Sequence, residues 1–470
     1  MTRGMQLVAS LGLVPVACFA PDAPVETATG TSDETSGAEP SSGLPSGTGS
    51  ETTTEGPDES TSSGEPGPTT LGDSSSGGVI DADCESTDDC NDGLVCLDGA
   101  CGLCTQADDG DSVCVEGYPQ RPLCGEDGRC VACLADSCSG ATPVCDPSQG
   151  CVACTEHAHC PDSACHLGGP DAGSCFDTAD VIEVQAPGAF AELLGEIGPG
   201  QDRVLILGAA TYTFPVEPGF SVFDIDGERE VAFVGNGSTV LEGSVGANAT
   251  FFNATDDASQ VYLAGLEWNG TIQSGDIPVL WVGPGAELWV DDSTARGTLQ
   301  LGGGDAHVRR SNLFDGAGTP VGEPDASVPG VGSLYLENAS VEPGLERISI
   351  NGLLDIRYST IVVDGDFVCG DETDGIVRNS VVLTGGSISE ACEGAAWSGS
   401  AVNTPGFGTS VPPFDAGWFA PSTAVRFRLS PQGAEVFGEL AQWEDGDPRL
   451  DAEGDERPLE GPSAAGVDEP

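Results

Sequence analysis

Two adjacent runs carry the densest mixture of acids and bases in this chain. Asp291, Asp292 and Arg296 lie in the first, and Asp305, His307, Arg309 and Arg310 in the second. Carboxylates held at a fixed separation can hydrolyse a glycosidic bond, one as acid and the other as base or nucleophile. A basic side chain beside them could move a proton. Against this, lysine is absent, no lyase or hydrolase signature is matched, and outward strand faces carry charge in many folds. Asp291, Asp292, Arg296, His307, Arg309 and Arg310 are therefore catalytic candidates without a motif behind them, and the reading leans against an enzyme. Trp268, Trp281 and Trp289 are ligand-binding candidates: an outward row of tryptophans would stack on sugar rings, whereas the same residues turned inward would fill a core. Asp224-Ile-Asp226-Gly227 and the Asp-Gly-Asp turns at 109, 364 and 445 offer oxygens to a hard cation, but none completes a twelve-residue calcium loop. No cofactor is required, with calcium the one alternative.

Cysteine supplies the second kind of chemistry. Of 19 cysteines, sixteen fall between Cys84 and Cys175, two more are Cys369 and Cys392, and Cys18 stands alone. Three gaps of two residues divide the sixteen into four sets of four: Cys84 to Cys101, Cys104 to Cys130, Cys133 to Cys151, and Cys154 to Cys175. Each set could close two disulfides within itself, in a connectivity that spacing leaves open. Segments this short bury too little apolar surface to fold without covalent staples. The junctions create Cys-X-X-Cys pairs at 101/104, 130/133 and 151/154. In an exported chain these read as disulfide cysteines rather than redox or zinc sites, although His157 and His159 beside Cys154 and Cys160 keep a zinc alternative.

The acidic residues total 76 against 15 basic ones, all arginine, for a formal charge of −61. Such a field excludes nucleic acid and anionic membrane surfaces as partners. Met5 to Ala17 is apolar for about the length of an export signal and too short to span a bilayer. Small residues before a lone cysteine resemble a bacterial lipoprotein signal, which implies that Cys18 is the lipidation site and residues 1–18 the signal and anchor. Pro15 stands where that signal usually has Leu or Val, and simple secretion is the alternative. The expected location is the outer membrane or cell surface, or else the extracellular medium. From 19 to 80 the chain is Ser, Thr, Gly, Pro, Glu and Asp, which cannot offset the entropy of ordering and predicts a disordered acidic stalk.

Beyond the disulfide-rich region (84–175) the texture changes. Val181 to Val184, Val204 to Leu207 and Thr211 to Phe214 read as strands, with a short amphipathic helix around Phe190 to Leu194 between the first two. One phrase then recurs, with alternating apolar residues, a polar bend and a glycine. Its copies start at Val261, Leu288, His307, Leu334, Leu354 and Ile376, separated by 27, 19, 27, 20 and 22 residues, and an earlier copy starts at Val231. A period just over twenty fits one coil of a parallel solenoid better than a sandwich, whose strands recur at about 8–12 residues. Cys369 and Cys392 lie 23 positions apart, about one coil. Strands stacked about 4.8 Å apart would bring them within disulfide reach, and a bond is predicted.

The opening strand–helix–strand resembles the start of a pectate-lyase-like right-handed parallel β-helix. Phe427-Arg-Leu-Ser-Pro431, Asp445-Gly-Asp-Pro-Arg449 and Gly466-Val-Asp-Glu469 resemble the closing sequence of bacterial surface β-helix proteins. The cysteine cluster is similar in spacing to Cys-rich repeats of bacterial surface lipoproteins. These resemblances imply an all-β fold with a β-helix at 180–395 and a cap and tail at 396–470. They also imply either a binding or adhesion module, with polysaccharide as the candidate partner, or an anchored polysaccharide lyase or glycoside hydrolase. Lyases of this class use a basic proton abstractor beside carboxylate-bound calcium. A monomer tied to a membrane by its lipid is the expected assembly.

Overall fold

The computed structural model describes residues 80–467 apart from short segments at 91–92, 135–136, 185–186, 188–200, 215–222, 226, 246–251, 255–258, 273–279, 297–298, 315–331, 343–346 and 421–426. Cys18, the signal and the stalk lie outside the described residues, as does the amphipathic helix expected around Phe190.

The C-terminal region is a parallel β solenoid. Its longest ladder runs through β1 (Val181–Val184), β2 (Arg203–Leu207), β3 (Glu230–Val245), β4 (Gln260–Ile272), β5 (Glu287–Asp291), β6 (Asp305–Arg309), β7 (Ser333–Glu337), β8 (Leu353–Arg357), β9 (Asp374–Arg378) and β10 (Ala395–Ser398). Every neighbouring pair is parallel, and each recurring phrase of the sequence lands on one strand. Side chains alternate across a strand, so one register row points inward: Leu205, Phe233, Leu263, Val290, Val308, Leu336, Ile356 and Val377, all at most 2% exposed. Stacking the same apolar position coil after coil gives a continuous core, and a charge placed at Val308 would have no partner there. Two further ladders close the coil, one from Thr211–Phe214 to Thr409–Ser410 and one from Phe223–Ile225 to Leu299–Leu301.

The bend after the first ladder repeats as closely as the core. Asp292, Arg310, Asn338, Tyr358 and Asn379 all adopt φ between 45 and 54°, and Gly265 and Gly399 occupy the matching places at 63 and 60°. The next residue is usually a buried serine. Ser311 Oγ accepts from the Ser293 N–H of the coil beneath (3.0 Å), Ser380 from Ser359 (3.1 Å) and Ser400 from Ser380 (3.2 Å). Each hydroxyl donates in turn to the carbonyl two residues before it, as Ser311 does to Arg309 (2.7 Å). The serine thus satisfies backbone groups that the left-handed bend removes from the ladder.

The four cysteine sets form eight bridges, and each set pairs its first cysteine with its third and its second with its fourth: 84–96 and 90–101, 104–124 and 114–130, 133–145 and 138–151, 154–165 and 160–175. The two cysteines of every Cys-X-X-Cys pair therefore belong to different bridges. Cys369 and Cys392 are bonded, with Cα atoms 5.0 Å apart. His157 Nδ1 accepts from the Cys165 N–H and His159 Nδ1 from that of Thr155, so one ring nitrogen of each histidine is engaged by a backbone group of the fourth module.

That module lies on the solenoid. Ala164 and Phe176 pack on Val204, Ala232 and Tyr262, the outward residues of β2, β3 and β4. Phe176 meets Tyr262 edge-on at 5.9 Å, and the His166 ring lies flat on Phe176 at 3.6 Å while Nδ1 contacts the Glu230 carboxylate. An outward face that solvent would otherwise cover is thereby buried by disulfide-rich chain.

Candidate functional site

Two outward rows of the first ladder hold most of the residues that could do chemistry. In one, Trp289, His307 and Tyr335 occupy successive coils. Their rings stack nearly parallel, Trp289 on His307 at 3.9 Å and His307 on Tyr335 at 4.1 Å. His307 Nε2 lies 3.2 Å from Glu287. Because the rings stack along the solenoid, the face each would offer a sugar is turned to its neighbour instead.

The other row reads Asp291, Arg309, Glu337, Arg357 and Arg378, nearly alternating in sign. Arg309 donates from Nε to Asp291 Oδ1 (2.7 Å) and from Nη2 to Oδ2, gives a further hydrogen bond to Thr155 O (3.1 Å), and sits 5.0 Å over the Trp289 ring. At the bend, Arg310 forks onto Asp292 in the same way, with both contacts at 2.8 Å, and approaches Glu156 of the fourth module at 3.7 Å. Four of the six catalytic candidates thus form two coil-to-coil pairs on one face. His307 stands in the aromatic row, and Arg296 pairs with Glu267 at 3.9 Å on the second ladder.

The tryptophans do not form a row. Trp268 faces the core and is 1% exposed. Trp281 lies on the third ladder with its ring over Gly302, where any β-carbon would come within 2.3 Å of it. Trp289 is on the first. Of the calcium candidates, Asp109 caps a helix through Ser112, Asp366 accepts from Ser387, and Asp447 binds Arg378. The Asp224–Asp226 pair lies outside the described side chains.

Three further residues join this face: Glu337 and Glu156, which the sequence reading did not name, and His157, which it named only as a zinc alternative. Glu337 stands between Arg309 and Arg357, and burial is the main reason its carboxyl titrates above the usual range, with Arg309 and Arg310 opposing the shift. It was within reach, since the recurring phrase puts it in register with Asp291 and Arg309. Glu156 and His157 come from a disulfide loop more than 130 positions away in sequence, with no periodic signal. Burial lowers the imidazole of His157 to about 4, against the opposing pull of Asp291.

Two clefts open where these parts meet. The first, about 450 Å³, lies between the fourth module and the bends of β3, β4 and β5, and His157, Glu156, Asp291 and Asp292 line it. The second, about 400 Å³, lies between Glu156, Arg310, Glu337 and the tail at 448–454. The tail itself is strapped to the bends: Asn338 donates to Leu450 O (2.7 Å), Asn379 to Gln442 O (2.8 Å), and Arg357 to Gly446 O (2.7 Å).

No curated protein and no solved structure matches the chain. Residues 70–181 match the model of a family of unknown function, DUF8331, a stretch that holds all four disulfide modules and ends at the first residue of β1.

Proposed function

We propose that this protein is an exported, lipid-anchored cell-surface module whose pectate-lyase-like right-handed β-helix binds rather than cleaves, with polysaccharide as its partner. In this reading Cys18 carries the lipid, residues 19–80 are the stalk, and residues 84–175, 180–395 and 396–470 form the disulfide-rich region, the β-helix and its cap. The supporting observation is the state of the candidate charges. Arg309 and Arg310 are closed on Asp291 and Asp292 by two-point hydrogen bonds, which leaves neither arginine poised to take a proton and keeps the buried Asp291 from binding calcium. The experiment is to incubate the full chain with neutral and uronic-acid polymers, with and without calcium. Binding without unsaturated products or new reducing ends is expected, and turnover would overturn the reading.

A second reading, an anchored polysaccharide lyase or hydrolase, is favoured by one feature. Glu337 is a carboxyl whose protonated form burial supports, at the edge of a cleft and beside Arg310, as a general acid would be. Turnover abolished by Glu337→Gln would establish that reading.

A further inference from the structure

We infer that the cleft between the fourth disulfide module and the first bends of the solenoid is a binding site for a neutral, hydroxyl-rich sugar residue. This rests on the glycan-binding reading above and names its place and the charge of its ligand. The volume, about 450 Å³, lies in the range that admits a small ring, about 300–1,000 Å³. Its floor is apolar, with Ile206, Val234 and Ala264 presented by β2, β3 and β4. That surface suits the C–H face of a sugar.

The polar groups around the floor are unequally satisfied. His157 is 7% exposed. Its Nδ1 accepts from the Cys165 N–H (3.1 Å), which fixes the ring proton on Nε2. Nε2 finds no hydrogen-bond partner among the described residues, so this buried donor lacks an acceptor. At the rim, the Asp292 and Glu156 side chains remain 56% and 39% exposed, with acceptor capacity beyond their contacts to Arg310. A ligand that both accepts from a neutral imidazole and donates to carboxylates is a hydroxyl compound. A uronate, sulfate or phosphate would bring a negative charge against Glu156, Asp291 and Asp292, whose neighbouring arginine forks are already engaged, and is excluded.

The test titrates the full-length, oxidised chain with cellotetraose, mannotetraose and tetragalacturonate, and reads affinity by calorimetry. Three variants accompany it. Ala158→Trp fills the mouth of the cleft from an exposed position, and Ala396→Trp adds the same bulk to the exposed outward face of β10. His157→Asn removes the Nε2 donor but keeps an acceptor near the Cys165 N–H. A neutral tetrasaccharide should bind, about tenfold or more weaker in Ala158→Trp and about fivefold weaker in His157→Asn, with Ala396→Trp unchanged. Glycan binding indifferent to Ala158→Trp, or tighter for tetragalacturonate, overturns this site and leaves the binding module standing. Failure of all three glycans overturns both.

Discussion

Arg309 closes its guanidinium on the carboxylate of Asp291 one coil beneath it, and only 3% of the Asp291 side chain is exposed. The pair thus occupies a place where a lone charge would be expensive. Removing one partner from such a pair costs about 3–5 kcal/mol, whereas replacing both by apolar residues of similar volume is often close to neutral. Arg309→Met should therefore destabilise by about 3 kcal/mol, and Arg309→Met with Asp291→Leu by much less. Chemical denaturation of the three proteins checks this. Equal losses in the single and double variants would show that the pair acts through something other than mutual neutralisation. It follows that lost activity in an Arg309 variant, taken alone, would not identify a catalytic base.

The pH dependence of the module-to-solenoid contact should follow His157. Burial disfavours its charged form, and the charges nearest it, Asp291 and Asp292 against Arg309 and Arg310, oppose one another. The folded state thus binds its proton less readily than the unfolded chain, whose histidine titrates near 6.5. Stability is full above the unfolded value and falls as pH drops from about 6.5 towards the folded value of about 4. The span corresponds to about 3 kcal/mol at most. Protection factors, corrected for the intrinsic slowing of exchange in acid, should fall in 154–176 on acidification through that window, and His157→Phe should flatten the change.

The bridge between Cys369 and Cys392 closes a loop with a sequence separation of 23 inside the coil stack. On the chain-entropy account such a closure is worth about 3 kcal/mol. Replacing both residues by alanine should lower stability by about that amount. The first-to-third, second-to-fourth pairing of the four modules should persist, as non-reducing peptide mapping would reveal. Reshuffled module bridges in this variant would contradict independent folding of the two regions.

The sequence made the solenoid legible because its core is periodic: an inward residue such as Val308 matters only through the positions one coil above and below, and both recur in the phrase. The same periodicity placed Cys369 opposite Cys392. It also marked the polar bends, but not that Arg310 and Tyr358 would accept a left-handed backbone there, since neither type favours it. The bridge pattern within each module could not be read, because four cysteines permit three pairings and spacing alone does not choose among them. Nor could the site. His157 and Glu156 reach the bends through a docking of Phe176 on Tyr262, a contact of matching shapes with no repeat in the sequence to announce it. The choice the tryptophans left open, outward row or core, could not be read for the complementary reason: they share a residue type but fall on three different ladders, so neighbouring positions in sequence gave no common face.

The tail should prove to be part of the folded solenoid rather than an appendage, and Arg457 is where this can be measured. Its guanidinium lies 3.9 Å over the Tyr358 ring and donates to Asn338 Oδ1 (3.0 Å) and to the carbonyls of Gly466 (3.3 Å) and Val467 (3.2 Å), with the residue only 2% exposed. One side chain therefore ties two bends of successive coils to the end of the described chain. A planar guanidinium suits this, because its Nη2 meets the acceptors at the edge while the ring meets its face. Lysine could keep the charge but not both contacts. Arg457→Lys should therefore lose nearly as much stability as Arg457→Ala, about 3 kcal/mol, since either leaves buried carbonyls without donors. Hydrogen exchange at Ala452, whose N–H donates to Val467 O, and at Gly466, whose N–H donates to Asn379 O, should rise in both variants. Exchange on β5 and β6 should stay slow. A lysine variant as protected as the native chain would mean that charge alone holds the tail, and the planar guanidinium would then have no special part in it.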